Sequence, residues 1–242
     1  MHSMTTVTAA DYGWIRSATS PFRYALGSGY ILTLVRGVSP AELLALAGAE
    51  PTGGCEGLDE LIEQHQELLE EPDDGDGPYV LAGACAVPGE EGDWTLALAL
   101  GGDSWPPGFM ETLSAGTRAV SHSSNGGKPM HFFHWYENGE LRTEFEWPPV
   151  RSGSTPDELN NLICEVGMGL TDEDASRVDR KAAVFALAER LTGVRVTAEL
   201  LALAEYRTAE VPEEPAEEWT SITVDITDAY GVRTYAHIEN DG

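Results

Sequence analysis

Apolar and polar positions near the N-terminus predict a strand followed by a helix. The run Tyr30–Arg36 is rich in β-branched and large apolar residues, which favour strands. Ser39 and Glu42 have the spacing of a helix-capping box around Pro40, and Gly48 follows where such a helix would end. A strand, turn and helix are therefore predicted over residues 30–48.

A second helix is predicted over residues 58–71, where leucine and isoleucine recur at helical spacing. His65 falls on the apolar side and is expected to be packed in the core. The other side is acidic and consists of Asp59, Glu60, Glu63, Glu67, Glu70 and Glu71. Asp73, Asp74 and Asp76 follow, but an EF-hand register would place Pro72 and Gly83 at required carboxylate positions, so an acidic turn is predicted.

The middle of the chain has the alternation and the turn residues of a β-sheet. Strands are predicted over residues 79–87 and 94–100, and three more between residues 117 and 147. Asn125-Gly126 and Asn138-Gly139 separate these three, and Asn-Gly is a strong hairpin signal. Helices are predicted over residues 155–168, 171–191 and 197–203, and a terminal hairpin over residues 220–227 and 231–239.

These segments predict an α+β fold with a mostly antiparallel β-sheet and helices packed on one side. Residues 1–206 are expected to form a single α+β domain. Residues 207–242 are expected to form an acidic linker and a C-terminal β-hairpin that packs on the same domain. The sequence leaves the sheet order and the oligomeric state open.

Charge is distributed unevenly along the chain. The formal net charge is −27, and residues 51–100 hold thirteen Asp and Glu without a single Lys or Arg. Residues 201–242 add ten acids against two Arg. Such a field repels nucleic-acid phosphates and anionic lipids and attracts basic partners. The candidate partner-binding residues are the acids of the second helix and its turn, together with Glu213, Glu214, Glu217 and Glu218.

Apolar runs, cysteines and known sequence motifs further limit the class of protein. The longest apolar run, residues 79–87, is far shorter than the roughly 20 residues of a membrane-spanning helix. Cys55, Cys85 and Cys164 are odd in number and far apart, which predicts buried thiols in a reducing, cytoplasmic location. No phosphate loop, nucleophile elbow or dinucleotide fingerprint occurs, so no cofactor is predicted, and whether the protein is an enzyme stays open.

Pairing the three middle strands gives one candidate site. A two-residue loop at Asn138-Gly139 would place His131 opposite Glu146 and Trp135 opposite Arg142. A four-residue loop over residues 125–128 would add His122 and Arg118 to the same face. This face suits a metal site, a surface for an anionic ligand or a partner, or ordinary sheet decoration, and a one-residue slip would dissolve it. The reverse face is the expected core side and carries Ala119, Ser121, Phe132, His134, Tyr136, Leu141 and Phe145.

Several phrases give the chain a resemblance to a known family. They include Asp11-Tyr-Gly-Trp14, Leu34-Val-Arg-Gly-Val-Ser-Pro40, Leu113-Ser-Ala-Gly-Thr-Arg-Ala-Val-Ser121, Tyr136-Glu-Asn-Gly-Glu140 and Ala186-Leu-Ala-Glu-Arg-Leu-Thr-Gly193. The chain resembles an uncharacterised actinobacterial family of unknown function. The resemblance implies a cytosolic bacterial protein and supplies no activity and no catalytic residues. The chain departs from the pattern at Gly126-Gly127-Lys128, where a second Asn is expected after Asn125.

The functional hypothesis that follows is an acidic interaction protein that binds a basic protein partner, as immunity or neutralising proteins do. One alternative is a small-molecule-binding protein or enzyme with a pocket over the central hairpins. Another is a decoy that mimics nucleic acid and so occupies a DNA-binding protein.

Overall fold

The computed structural model describes residues 7–70, 79–90, 92–102, 104–126, 132–171, 173, 179–212, 221–227 and 233–239. Its main feature is a nine-stranded sheet with the order β2-β9-β3-β4-β1-β5-β6-β7-β8, in which every neighbouring pair is antiparallel. The strands are β1 (Tyr30–Arg36), β2 (Glu50–Glu56), β3 (Tyr79–Gly89), β4 (Gly92–Leu100), β5 (Arg118–Ser124), β6 (Phe133–Glu137), β7 (Glu140–Trp147), β8 (Val150–Ser152) and β9 (Glu205–Pro212).

The helices cover both faces of this sheet. A 3-10 helix spans Ala9–Arg16, and the α-helices are α1 (Arg23–Ser28), α2 (Pro40–Leu46), α3 (Gly57–Glu70), α4 (Phe109–Leu113), α5 (Asn160–Glu165), α6 (Arg180–Thr192) and α7 (Ala198–Leu203). No helix in the described part of the chain is long and apolar enough to cross a membrane.

Strand β4 shows how one sheet separates two cores. Trp94, Leu96, Leu98 and Leu100 contribute to the larger core, which also contains residues of α3, α6 and α7. Ala97 and Ala99, at alternate positions, face a smaller core under α2 and α4. Side chains of successive strand residues point to opposite faces of the sheet. The large residues of β4 therefore face the larger core, and the alanines face the smaller core.

The α+β class and the antiparallel sheet are confirmed. The larger helices lie on one face as expected, and the structure adds the short helices α2 and α4 on the other face. The capping box at Ser39 is present, because Ser39 Oγ accepts from the Glu42 N–H at 3.3 Å and the Glu42 carboxylate accepts from the Ser39 N–H at 3.0 Å. His65 is buried, also as predicted.

Some elements differ from the prediction. Strands β2, β8 and β9 were not anticipated, and α5 is shorter than the helix predicted over residues 155–168. The helix predicted over residues 171–191 is described only from Arg180 as α6, and residues 172 and 174–178 lie outside the described residues.

The C-terminal segments divide between two sheets. Strand β9 pairs with β2 and β3 and so carries the main sheet past residue 206 to Pro212. The predicted terminal hairpin is present as β10 (Ser221–Thr227) and β11 (Arg233–Glu239), which pair with each other. The division into a domain at residues 1–206 and a packed terminal segment at residues 207–242 stays a prediction.

The hairpin registers depart from the predicted pairing. Asn138 and Gly139 have φ of 56° and 80°, and they form the expected two-residue loop between Glu137 and Glu140. A β-bulge then leaves Arg142 as an extra residue, so Trp135 lies opposite Thr143. In the preceding hairpin, His122 pairs with Phe133, two residues away from the predicted partner His131.

Candidate functional site

His122 lies in the larger core. It is 1% exposed, its ring centroid is 4.5 Å from that of Phe185, and its Nδ1 is 3.2 Å from the Tyr30 hydroxyl. Burial lowers the pKa of His122 to about 3. The imidazole is therefore neutral at pH 7, and the sheet face that was expected to be open at this position is covered by α6.

Trp135 is brought together with the two predicted arginines. The guanidinium carbons of Arg118 and Arg142 lie 5.9 and 5.6 Å from its ring centroid. Arg118 donates to the Glu137 carboxylate at 3.0 Å, and Arg142 donates to the Glu158 carboxylate at 2.7 Å. Both positive charges therefore have carboxylate partners, and a ligand-binding role for this cluster stays a prediction.

The rest of the predicted grouping is not assembled in the described residues. Glu146 is half-buried and is the unpaired residue of a bulge between β7 and β8. His131 lies outside the described residues, so the grouping of His122, His131 and Glu146 stays a prediction. Across the parts of the chain that the structure describes, no three His, Cys, Asp or Glu side chains are grouped to hold a metal ion.

The acidic face of α3 is exposed. Asp59, Glu60, Glu63, Glu67 and Glu70 all point to solvent, and no ion pair within the described ranges involves them. The remaining acidic candidates fall outside the described residues and are Glu71, Asp73, Asp74, Asp76, Glu213, Glu214, Glu217 and Glu218. Their role in partner binding stays a prediction.

A cleft of about 650 Å³ lies on the other face of the central hairpins, above the smaller core. Strands β5 and β6 form its floor, and α4 with the loop before it forms its wall. The lining side chains are largely aromatic and polar: Ile31, Ser104, Trp105, Pro106, Pro107, Met110, Glu111, Ser121, Ser123, Phe132, His134 and Tyr136. The volume and this mixed lining are typical of sites for small organic molecules.

A row of polar side chains crosses the sheet beneath the cleft. Each residue is the direct register partner of the next across strands β1, β5, β6, β7 and β8, and the row is Thr33, Ser121, His134, Glu144 and Ser152. Direct cross-strand partners have adjacent side chains. The row therefore places a serine, an imidazole and a carboxylate side by side at one level of the sheet.

Hydrogen bonds hold both ends of this polar row. At one end the Trp105 Nε1–H donates to Thr33 Oγ1 at 2.8 Å, and Thr33 Oγ1 lies 2.9 Å from Ser121 Oγ. At the other end the Ser152 hydroxyl donates to Glu144 Oε1 at 2.8 Å. The wall residue Trp105 is thus tied to the floor, which fixes the shape of the cleft between them.

The imidazole of His134 interacts with the carboxylates of Glu144 and Glu111. Its Nε2 is 3.5 Å from Glu144 Oε2, and 30% of its side chain is exposed. Burial lowers the pKa of His134, while Glu144 and Glu111 act in the opposite direction. Glu111 also interacts with Tyr136, whose pKa is raised to about 12 by burial, by Glu111 and Glu144, and by a hydrogen bond to Glu111.

Sequence reasoning missed this cleft. His134 was expected to be a packed core residue, and Ser121, Phe132 and Tyr136 were assigned to the same core side. The signal for a cleft that the sequence contained was that polar and aromatic residues share one face of these strands. The wall residue Trp105 gave none, because its approach to β1 is a contact between distant parts of the chain.

Comparison with protein-family models matches residues 5–216 to one described as Family of unknown function (DUF6461). This match confirms the resemblance to a family of unknown function, and the actinobacterial origin stays a prediction. No curated protein and no solved structure matches the chain.

Proposed function

The chain belongs to that family of unknown function, and we propose that it binds a small organic molecule in the cleft between α4 and strands β5 and β6. The observation that carries this proposal is the polar row that passes through the cleft floor at Ser121 and His134, with Trp105 anchored to it. Binding sites combine apolar walls with a few fixed polar groups that orient the ligand. The sequence predicted a pocket over the central hairpins, and the proposed site lies on the opposite face of the same strands.

The floor of the cleft is rigid because it belongs to the sheet. Ser121 and Ser123 are 3% and 5% exposed on β5, and His134 and Tyr136 lie beside them on β6. Polar groups held by a sheet lose little freedom when a ligand binds, so more of the contact energy remains as affinity. The arrangement favours a preformed site over one that assembles around its ligand.

A variant that fills the cleft tests this proposal. Ser123→Phe adds an aromatic ring at the floor, and Ser123→Ala at the same position removes the hydroxyl without filling space. Binding of a mixed fragment library is measured by ligand-observed NMR, with thermal unfolding as the check on folding. Fragments should bind the wild type and Ser123→Ala but not Ser123→Phe, and equal binding by both folded variants would refute the cleft as the site.

A second function is favoured by a different observation, the exposed acidic face of α3 without ion pairs among the described residues. This face supports a cytoplasmic interaction protein that binds a basic partner, because opposite charges accelerate encounter. The test is affinity capture from the native host with wild type and with a Glu60→Gln, Glu63→Gln, Glu67→Gln variant, at low and high salt. A basic partner should be retained by the wild type alone at low salt, and equal retention by the variant would rule this surface out.

A further inference from the structure

We infer that the molecule bound in the cleft is an organic cation, an ammonium group carried on an aromatic or apolar frame. This inference rests on the proposed function and specifies its ligand class. It follows from three properties of the described lining: the sign of its charge, its aromatic surface and its free hydrogen-bond acceptors.

The charge around the cleft is negative. Among the described lining residues, Glu111 is the one charged side chain, and Glu144 lies just behind His134. Two sheet arginines, Arg118 and Arg142, contact Trp135 in the larger core and pair with carboxylates. The formal net charge of −27 adds a long-range field of the same sign. An anionic ligand would be repelled both by the carboxylates at the cleft and by the net charge of the protein, whereas a cation would be attracted by both.

Aromatic rings face the same space. Trp105, Phe132 and Tyr136 line the cleft, and the Phe132 ring is stacked with His134 at a centroid distance of 6.2 Å. The faces of aromatic rings carry negative partial charge and attract ammonium groups. A carboxylate beside several aromatic side chains is a combination that recognises a cation with an apolar frame.

Acceptors are available for the hydrogen atoms of an ammonium group. The Nε2 atom of His134 lies 3.5 Å from Glu144 Oε2. A neutral imidazole has one acceptor nitrogen, and no hydrogen bond to Nδ1 is found among the described residues. The Glu111 carboxylate is exposed at the rim and interacts with Tyr136. Hydrogen bonds from a charged donor to such groups are stronger than those between neutral groups.

The experiment uses three probes with the same phenyl frame: 2-phenylethylammonium, 2-phenylethanol and 3-phenylpropanoate. Affinities of the full chain are measured by calorimetry and by ligand-observed NMR at pH 7. The ammonium probe should bind about tenfold more tightly than the alcohol, the size expected for one cation–π contact with one charge-assisted hydrogen bond. The carboxylate probe should be the weakest of the three.

A matched pair of variants locates the effect. Glu111→Gln should weaken the ammonium probe about tenfold and leave the alcohol unchanged, because only the charged contact is removed. Glu63→Gln makes the same change of charge on α3, away from the cleft, and should leave both affinities within about twofold.

The possible results distinguish the charge of the ligand from the existence of the binding site. Equal binding of the ammonium and alcohol probes, both lost in Ser123→Phe, would overturn the cation inference and leave the binding cleft intact. Binding of neither probe, with no fragment of any charge blocked by Ser123→Phe, would overturn both. A loss of ammonium affinity in Glu63→Gln equal to that in Glu111→Gln would also overturn the inference, because it would assign the selectivity to net charge alone.

Discussion

Replacing His122 with glutamine should make the protein more resistant to acid than the wild type. The His122 ring is 1% exposed and packs against Phe185, so protonation in the folded state would place a charge in an apolar core. Glutamine has no titratable group and is long enough to accept from the Tyr30 hydroxyl, which lies 3.2 Å from His122 Nδ1.

The size of the effect follows from the lowered pKa. Well above pH 6.5, His122 is neutral in both the folded and unfolded states and contributes nothing to the pH dependence of stability. As the pH falls from 6.5 towards 3, the unfolded state takes up a proton that the folded state does not, so the free energy of unfolding decreases. Between pH 7 and pH 4 this loss is about 3 kcal/mol.

The assay is urea unfolding of the wild type and His122→Gln at several pH values from 7 to 4. Comparing the two proteins cancels the titration of the many carboxylates, which they share. The wild type should lose about 3 kcal/mol relative to the variant across this range. Tyr30→Phe is the control, because it removes the hydrogen bond and keeps the buried imidazole, so its pH dependence should match that of the wild type. A constant difference between wild type and His122→Gln at every pH would show that His122 does not titrate differently in the folded and unfolded states.

Two further predictions concern packing and helix capping. Gly83→Ala should destabilise the protein by about 1–3 kcal/mol in urea unfolding, because a Cβ at this position would lie 2.8 Å from a Leu61 methyl carbon. Gly13→Ala has nothing within 4 Å of the new Cβ and should be neutral or slightly stabilising, and a larger loss there than at Gly83 would contradict the packing argument. Ser39→Ala should cost about 1 kcal/mol, since it removes the acceptor for the Glu42 N–H at the start of α2, and unchanged stability would show that water replaces this cap.

Local signals in the sequence predicted local structure well. The capping box at Ser39 and the Asn138-Gly139 loop depend on residues within a few positions of each other, and both are present. The acidic and apolar faces of α3 were also correct, because the helical period alone determines which side chains share a face.

Features that depend on distant residues were not predicted. Strand β2 contains Pro51, Gly53 and Gly54, which have low strand propensity, and it forms because β9 returns beside it. The extra residue at Arg142 shifts the pairing of β6 with β7, and a single sequence gives no signal for where a bulge falls. The bulge exchanges the two faces of β7 beyond Arg142, so Phe145 and not Glu144 lies opposite Phe133.

The cleft was not predicted for the same reason, because it depends on residues that are distant in the sequence. Its floor residues were placed on one face by simple alternation, but their exposure depends on how far α4 and Trp105 stand away from the sheet. That distance is fixed by the hydrogen bond from Trp105 to Thr33, which joins residues 72 positions apart in the chain. Such contacts follow from the packing of the whole fold rather than from any local pattern.

Binding in the cleft is tested most directly by calorimetric titration of 2-phenylethylammonium into the wild type, Ser123→Ala and Ser123→Phe. Saturable binding to one site is expected for the wild type and Ser123→Ala, and none for Ser123→Phe, whose added ring occupies the cleft floor. Binding to a folded Ser123→Phe with the affinity of the wild type would place the ligand elsewhere and contradict the proposed function.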